Sequence, residues 1–212
     1  MIPAREALAL LREGNRRFFA EVRSDDDLTS RNRRMALTDV QAPFAIILGC
    51  SDSRVPPELI FDQGLGDLFV IRVAGNIVAP SQVGSVEFAA ERFHTRLVVV
   101  LGHSNCGAID ATIEELGRPS KDQSRNLRSI VDRIRPSVQP LFATELKHDL
   151  KALAHEAVRA NIRASVNHLR HGSDVLEQVI DRDGLLIVGA EYSLDTGVVD
   201  FFDVPPENGR NG

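Results

Sequence analysis

The chain has 212 residues, of which 43% are hydrophobic and 26% charged, and its formal net charge is −5 at pH 7. This composition is typical of a globular protein, and the length suits one α/β domain with its own core. The negative charge argues against a nucleic-acid partner, and no apolar run is long enough to span a membrane. We therefore expect a single domain over residues 1–212 that binds neither nucleic acid nor membrane.

The N-terminal region, residues 1–40, is predicted to be a helical arm. Apolar residues at helical spacing in 3–20, among them Leu8 and Leu11, predict an amphipathic helix. We expect this helix to pack on a partner subunit rather than on its own core. A second helix is predicted over 27–38. Charged residues interrupt the first helix, so no secretory signal is indicated and a cytoplasmic location is expected.

The remainder of the chain predicts an α/β core over 43–204. Short apolar runs rich in Val, Ile and Leu indicate buried parallel strands at 43–50, 67–75, 96–103 and 184–192. Helical patterns separate or follow them, at 82–94, 107–116, 123–135, 145–171 and 173–182. We therefore expect a central, mostly parallel sheet of about four strands, flanked by helices. One more strand, 197–204, should pair antiparallel with 184–192 at an edge, and 205–212 should be a frayed tail.

Both cysteines of the chain lie where a predicted strand ends. Cys50 follows the first strand, and His103 and Cys106 follow the third in an H-x-x-C pattern. Because the carboxyl ends of parallel strands meet at one edge of a sheet, we expect these side chains to lie together. Two thiolates and an imidazole suit zinc, and three protein ligands leave one position open, as in catalytic sites. The alternative is that the cysteines are only small buried residues.

Asp52 and Arg54 follow Cys50 in the sequence GCSDSR. A carboxylate this close to a metal has two options: it can coordinate the metal as a fourth ligand, or hydrogen-bond the occupant of the open position. The planar guanidinium of Arg54 can hold the carboxylate through two bonds and keep it off the metal. Loss of this pair would close the site, so activity is expected to fall as pH drops. A surface salt bridge of little energetic value is the alternative.

The segments GCSDSRVPPELIFDQGLGDLFVIRVAGNIV and LGHSNCGAI resemble the β-class carbonic anhydrases. The resemblance implies one zinc ion per chain, held by Cys50, His103 and Cys106, with Asp52 and Arg54 as the catalytic pair. It implies reversible hydration of carbon dioxide to bicarbonate and a proton, carried out by a homodimer or a dimer of dimers. Hydrolysis of carbonyl sulfide or carbon disulfide remains an alternative, as does a non-catalytic protein that binds zinc or bicarbonate.

The same resemblance implies five substrate-binding residues. Gln41 matches a glutamine that hydrogen-bonds the substrate, and Phe69 matches an aromatic residue of the substrate pocket. Both would come from the partner subunit. Ala74 and Phe88 would complete an apolar wall, with Phe88 standing where plant-like members have a tyrosine. Gly107 matches the family glycine that follows the second cysteine ligand.

Overall fold

The computed structural model describes residues 2–22, 28–118 and 124–206. Five strands form one sheet: β1 (Ala45–Gly49), β2 (Leu68–Arg72), β3 (Leu97–His103), β4 (Leu186–Tyr192) and β5 (Val199–Asp203). The α-helices of the described residues are α1 (Ala4–Phe19), α2 (Arg31–Ala36), α3 (Pro57–Ile60), α4 (Pro80–Arg92), α5 (Gly107–Gly117), α6 (Arg125–Phe142), α7 (Leu150–His171) and α8 (Asp174–Asp183). Two 3-10 turns cover Ala74–Asn76 and Glu145–His148.

The strand order is β2-β1-β3-β4-β5. The first four strands are parallel, and β5 pairs antiparallel with β4, with Tyr192 opposite Val199. This confirms the predicted mostly parallel sheet with an antiparallel edge strand. Residues 207–212 of the predicted tail lie outside the described part of the chain.

Each face of the sheet has its own core. Ile46 and Leu48 of β1 pack in one cluster with residues of α4, α5, α6, α7 and α8. Ile47, which points to the other face, packs in a second cluster with residues of α1 and α3. This alternation follows from the period of two along a strand, and helices on both faces account for the continuous apolar sequence of the strands.

The N-terminal helix α1 packs on its own chain. Ala7 and Leu11 are fully buried and Leu8 is 4% exposed, all in the cluster that contains Ile47 of β1. The expectation that this apolar face packs on a partner subunit is therefore corrected. The sheet face opposite the long helices would otherwise be uncovered, and the apolar stripe of α1 fills it. The outer side of α1 still carries exposed apolar residues, with Phe19 43% exposed.

Helix α6 is longer than its sequence predicts. The predicted helix ends at residue 135, but the helix continues through Pro136 and Pro140 to Phe142, although a proline lacks the N–H that a helix interior uses. Ile134 and Val138 are fully buried on either side of the first proline. This burial holds both halves of the helix on the core. Among the described helices, none combines the length and the apolar character that crossing a membrane needs.

Candidate metal centre

Three soft ligand atoms meet at the carboxyl edge of the sheet. In the β1–β3 pairing Gly49 is opposite Leu101, so Cys50, just after β1, lies beside the end of β3. His103 is the last residue of β3, and Cys106 immediately precedes α5. One ligand atom from each of Cys50, His103 and Cys106 lies within 4.8 Å of the others, and all three residues are buried. The predicted convergence is therefore present in the structure.

The imidazole of His103 is oriented by a backbone group. Its Nδ1 lies 2.9 Å from the carbonyl oxygen of Ser104. A carbonyl can only accept, so Nδ1 carries the proton and Nε2 keeps a free lone pair. Within the described part of the chain, Nε2 is buried and forms no hydrogen bond. A nitrogen lone pair that is buried beside two sulfur atoms, without a hydrogen-bond partner, is what a metal ligand requires. The three residues therefore fit a bound metal ion.

The two thiols influence each other's ionisation. A hydrogen bond from Cys106 stabilises the Cys50 thiolate and lowers the pKa of Cys50, while the same contact raises the pKa of Cys106. Burial opposes the charged form of His103, but interaction with the Cys50 thiolate raises the pKa of the imidazole. A thiolate already favoured at Cys50 suits a cation, because only the deprotonated sulfur coordinates metal.

Two neighbours of Cys50 were not predicted from the sequence. The backbone N–H of Gly75 donates to Cys50 Sγ at 3.3 Å. The guanidinium of Arg72 donates to the carbonyl oxygens of Cys50 at 3.1 Å and of Asp52 at 2.6 Å. Arg72 thereby fixes the backbone of the segment that carries both side chains. The glycine of the sequence VAGN was the available signal for Gly75, whereas nothing in the sequence pattern indicates the carbonyl contacts of Arg72.

Asp52 lies beside the ligand cluster and is held by Arg54. Arg54 Nε donates to Asp52 Oδ1 at 2.9 Å, and Arg54 Nη2 donates to Oδ2 at 2.7 Å. The same Oδ2 lies 3.9 Å from His103 Nε2. Hydrogen bonding from Arg54 lowers the pKa of Asp52 well below its ordinary value. The carboxylate is thus a charged, acceptor-only group next to the point where the three ligand atoms converge.

Two of the predicted substrate-binding residues also lie near the cluster. Ala74 immediately precedes Gly75, whose N–H contacts Cys50, and it is half-buried. Gly107 begins α5 directly after Cys106, and a Cβ built on it would meet no atom within 4 Å. The space around the Cα of Gly107 is therefore open.

The other three predicted substrate-binding residues lie elsewhere in the chain. Gln41 is exposed and precedes β1, whereas Cys50 follows that strand, so the two lie at opposite ends of it. Phe69 is opposite Ile46 near the start of β1. Phe88 is 53% exposed on α4, with its ring centroid 6.3 Å from that of Phe69. One chain alone does not bring these side chains to its own ligand cluster.

The arrangement can bind a soft or borderline cation with two sulfurs and one nitrogen, with a held carboxylate alongside. Residues 45–199 match the family model for carbonic anhydrase. Carbonic anhydrase 2 of Mycobacterium tuberculosis is 37% identical over 187 residues, which cover 88% of this chain and 87% of that protein. A β-carbonic anhydrase from Coccomyxa, solved with acetazolamide, has a TM-score of 0.70 at 26% identity and covers 92% of this chain and 86% of its own.

A tetrameric β-carbonic anhydrase from Sordaria macrospora has the same fold, with a TM-score of 0.71 at 24% identity over 81% of this chain and 85% of that one. The family match spans most of the chain, and the relative from Mycobacterium tuberculosis aligns over nearly its whole length. The chain therefore belongs to the β-class carbonic anhydrases, a family of carbonate dehydratases.

Proposed function

We propose that this protein catalyses the zinc-dependent, reversible hydration of carbon dioxide to bicarbonate and a proton. The observation that carries the proposal is the position of the Asp52 carboxylate, held by Arg54, 3.9 Å from the unpaired Nε2 of His103. A site that only stored metal would have no use for a charged acceptor beside three ligands. Family membership supports the same reaction.

Zinc is the cation that suits the donor set best. Cys50, His103 and Cys106 would hold one ion per chain, since two thiolates and one imidazole match its ligand preferences. When bound there, zinc would act as a Lewis acid that makes water nucleophilic near neutral pH. Asp52 would accept a hydrogen bond from the attacking water and orient it, while Arg54 would keep the carboxylate ionised and away from the ligand atoms.

The substrate pocket is proposed to form between two subunits, in a homodimer or a dimer of dimers. Gln41 and Phe69 lie away from the ligand cluster of their own chain, and β2, which carries Phe69, is an edge strand. Leu68, Phe69 and Val70 of this edge are only half-buried. A partner subunit that covers this edge would bury these three side chains. It would also bring Gln41 and Phe69 of this chain toward the ligand cluster of the partner subunit. Apolar walls suit carbon dioxide, which carries no charge.

The proposal extends to the organisation and location of the protein. The chain is proposed to be a single domain, with α1 and α2 as its N-terminal segment and residues 43–204 as its core. Both cysteines are free thiols in the structure. Since thiolate ligands must stay reduced, we place the protein in the cytoplasm.

The proposal is tested by metal content and stopped-flow kinetics of the purified protein. We expect about one zinc per chain in the wild type, and hydration of carbon dioxide that Cys106→Ala abolishes along with the metal. Carbonyl sulfide and carbon disulfide serve as competing substrates in the same assay. Faster turnover of either sulfur compound than of carbon dioxide would overturn the assigned substrate. Bound zinc without turnover of any of the three would indicate a binding protein.

A further inference from the structure

The turn after β2 delivers a backbone donor to one cysteine of the metal centre. Gly75 N lies 3.3 Å from Cys50 Sγ within the Ala74–Asn76 turn. Hydrogen bonds to a ligand atom orient it and tune its charge, and loss of such partners typically weakens metal binding. The aim of this N–H depends on the conformation of the turn, so whatever fixes the turn acts on the centre.

The backbone of this turn is strained. Gly75 has φ of 69° and Asn76 has φ of 42°, so two successive residues lie in the left-handed region. Glycine adopts this region freely, but a residue with a side chain does so at an energetic cost. Such conformations persist where surrounding structure holds them in place. Within the turn, Asn76 N donates to Val73 O at 3.1 Å, which closes it on one side.

Two buried side chains of α7 hold the turn from outside. Asn161 Nδ2 donates to Gly75 O at 2.8 Å, and Ser165 Oγ donates to Asn76 O at 3.1 Å. The two donors are four residues apart, so they lie on the same face of the helix. Asn161 is 3% exposed and Ser165 is 5% exposed. Each of the two residues in the left-handed region therefore has its carbonyl bound by one side chain of α7.

Helix α7 is itself fixed at short range from the sheet. A Cβ on Gly102 of β3 would lie 2.6 Å from Ile162 Cδ1, and a Cβ on Gly189 of β4 would lie 2.9 Å from Ile162 Cγ2. The two glycines thus let Ile162, the neighbour of Asn161, sit directly on the strands. Donors on a helix seated this closely are well placed to fix the turn, because their own position is set by packing.

We propose that Asn161 and Ser165 are positioning residues of the metal centre: they hold the turn so that Gly75 N–H points at Cys50 Sγ. The proposal rests on the proposed function in one respect, namely that the centre binds zinc. Both side chains act through Gly75. The competing explanation is that they only satisfy two buried carbonyls, a role that would affect folding stability alone.

The test compares Asn161→Leu and Ser165→Ala with Thr95→Val. The control removes a hydrogen bond of the same kind, because Thr95 Oγ1 is buried and donates to Pro43 O at 2.8 Å. It lies at the other end of the sheet from the cysteines, before β1 and β3 begin. Exposed Asn167 of α7 supplies a second control as Asn167→Ala. Zinc affinity is measured by chelator competition. The position of the thiolate-to-cobalt absorption band is measured in cobalt-substituted protein, and stability is measured by thermal melting.

We expect Asn161→Leu and Ser165→Ala each to weaken zinc binding about tenfold, the lower end of the range for outer partners of metal ligands. Loss of the N–H at sulfur should also move the cobalt band to longer wavelength, because the donor orbital of the thiolate rises. Thr95→Val should lower the melting temperature and leave both metal readouts unchanged.

The proposal would be overturned if the Asn161 and Ser165 variants are less stable but keep the zinc affinity and the cobalt band position of the wild type. If Asn161→Leu does not fold, unchanged metal readouts in Ser165→Ala overturn it. Neither readout needs turnover, so failure of this proposal is distinct from failure of the wild type to hydrate carbon dioxide. A wild type that binds no zinc overturns both.

Discussion

Arg54 binds both carboxylate oxygens of Asp52 and also donates to the carbonyl oxygen of Asn105 at 3.2 Å. Asn105 lies between His103 and Cys106, so the guanidinium connects the carboxylate to the loop that links these two ligand residues. The side chain of Arg54 is 54% exposed and that of Asp52 is 17% exposed. The pair is therefore accessible from solvent, and its value lies in geometry more than in stability.

Removal of the guanidinium should release Asp52 toward the metal. We expect Arg54→Ala to lower the rate of carbon dioxide hydration about a hundredfold, since the positioned acceptor is lost. In a crystal structure of the zinc-loaded variant, an Asp52 oxygen should lie about 2.0–2.2 Å from zinc. Arg54→Lys keeps the positive charge but cannot bind both carboxylate oxygens in the same planar geometry. Its hydration rate should therefore lie between the rates of the wild type and of Arg54→Ala. An Asp52 carboxylate that stays away from zinc in Arg54→Ala would refute the gating role.

The pH dependence of stability should reveal the Asp52–Arg54 pair. Hydrogen bonding from Arg54 depresses the pKa of Asp52 in the folded state. The pair therefore stabilises the fold fully above the ordinary carboxyl pKa, and this contribution is lost as pH falls from there toward the folded value. We expect the melting-temperature difference between metal-free wild type and Asp52→Asn to be constant down to about pH 5 and to shrink below about pH 4.

The lowered pKa of Asp52 also limits which groups can cause the expected fall of activity at lower pH. A carboxylate with a depressed pKa stays ionised between pH 6 and 8, so any loss of activity in that range does not come from protonation of Asp52. A melting-temperature difference that already narrows between pH 7 and 6 would contradict the depressed pKa. The control compares Arg54→Ala with the double variant Arg54→Ala/Asp52→Asn: without the guanidinium the main cause of the depressed pKa of Asp52 is gone, so the narrowing at low pH should be lost.

A side chain at Gly75 should damage both the fold and the centre. Alanine there would have φ near 69°, and its Cβ would lie 2.7 Å from Ile134 Cδ1. We expect Gly75→Ala to lower the free energy of unfolding by about 1–3 kcal/mol and to weaken zinc binding. Gly84→Ala in α4 is the matched control. Its Cβ would meet no atom within 4 Å, so it should raise stability by about 0.5–1 kcal/mol. Urea unfolding and chelator competition measure the two effects.

Mixed dimers test whether Gln41 serves the partner's site. We expect Gln41→Ala to bind zinc normally but to lose most activity, and Cys106→Ala to lose both. A mixed dimer contains one Gln41→Ala chain and one Cys106→Ala chain. If Gln41 acts across the interface, this dimer has one complete site, in which the first chain supplies the metal ligands and the second supplies Gln41. Random mixing of the two inactive variants should then restore about a quarter of the wild-type activity, since half of the dimers are mixed. Full activity in Gln41→Ala would show that Gln41 does not act on the substrate, and a mixture that stays inactive would show that it does not act across the interface.

The sheet and the three ligand positions could be read from local patterns. Runs such as 96–103 are apolar because both faces of a parallel strand are buried, and the chain order of strands and helices fixes which strand ends share an edge. Cys50, His103 and Cys106 follow strand ends, so their meeting required only that the strands be parallel neighbours. Resemblance to a known family added the roles of Asp52 and Arg54.

Other features were decided by tertiary contacts that leave little trace in the sequence. The pattern of α1 showed an apolar face but not which surface it covers. The helix predicted to end at residue 135 continues because Ile134 and Val138 are both buried on the core. The bond from Asn161 to Gly75 joins residues 86 positions apart. Sequence periodicity reports what each segment buries, whereas contacts of this kind depend on how separate segments pack, and only the folded chain determines them.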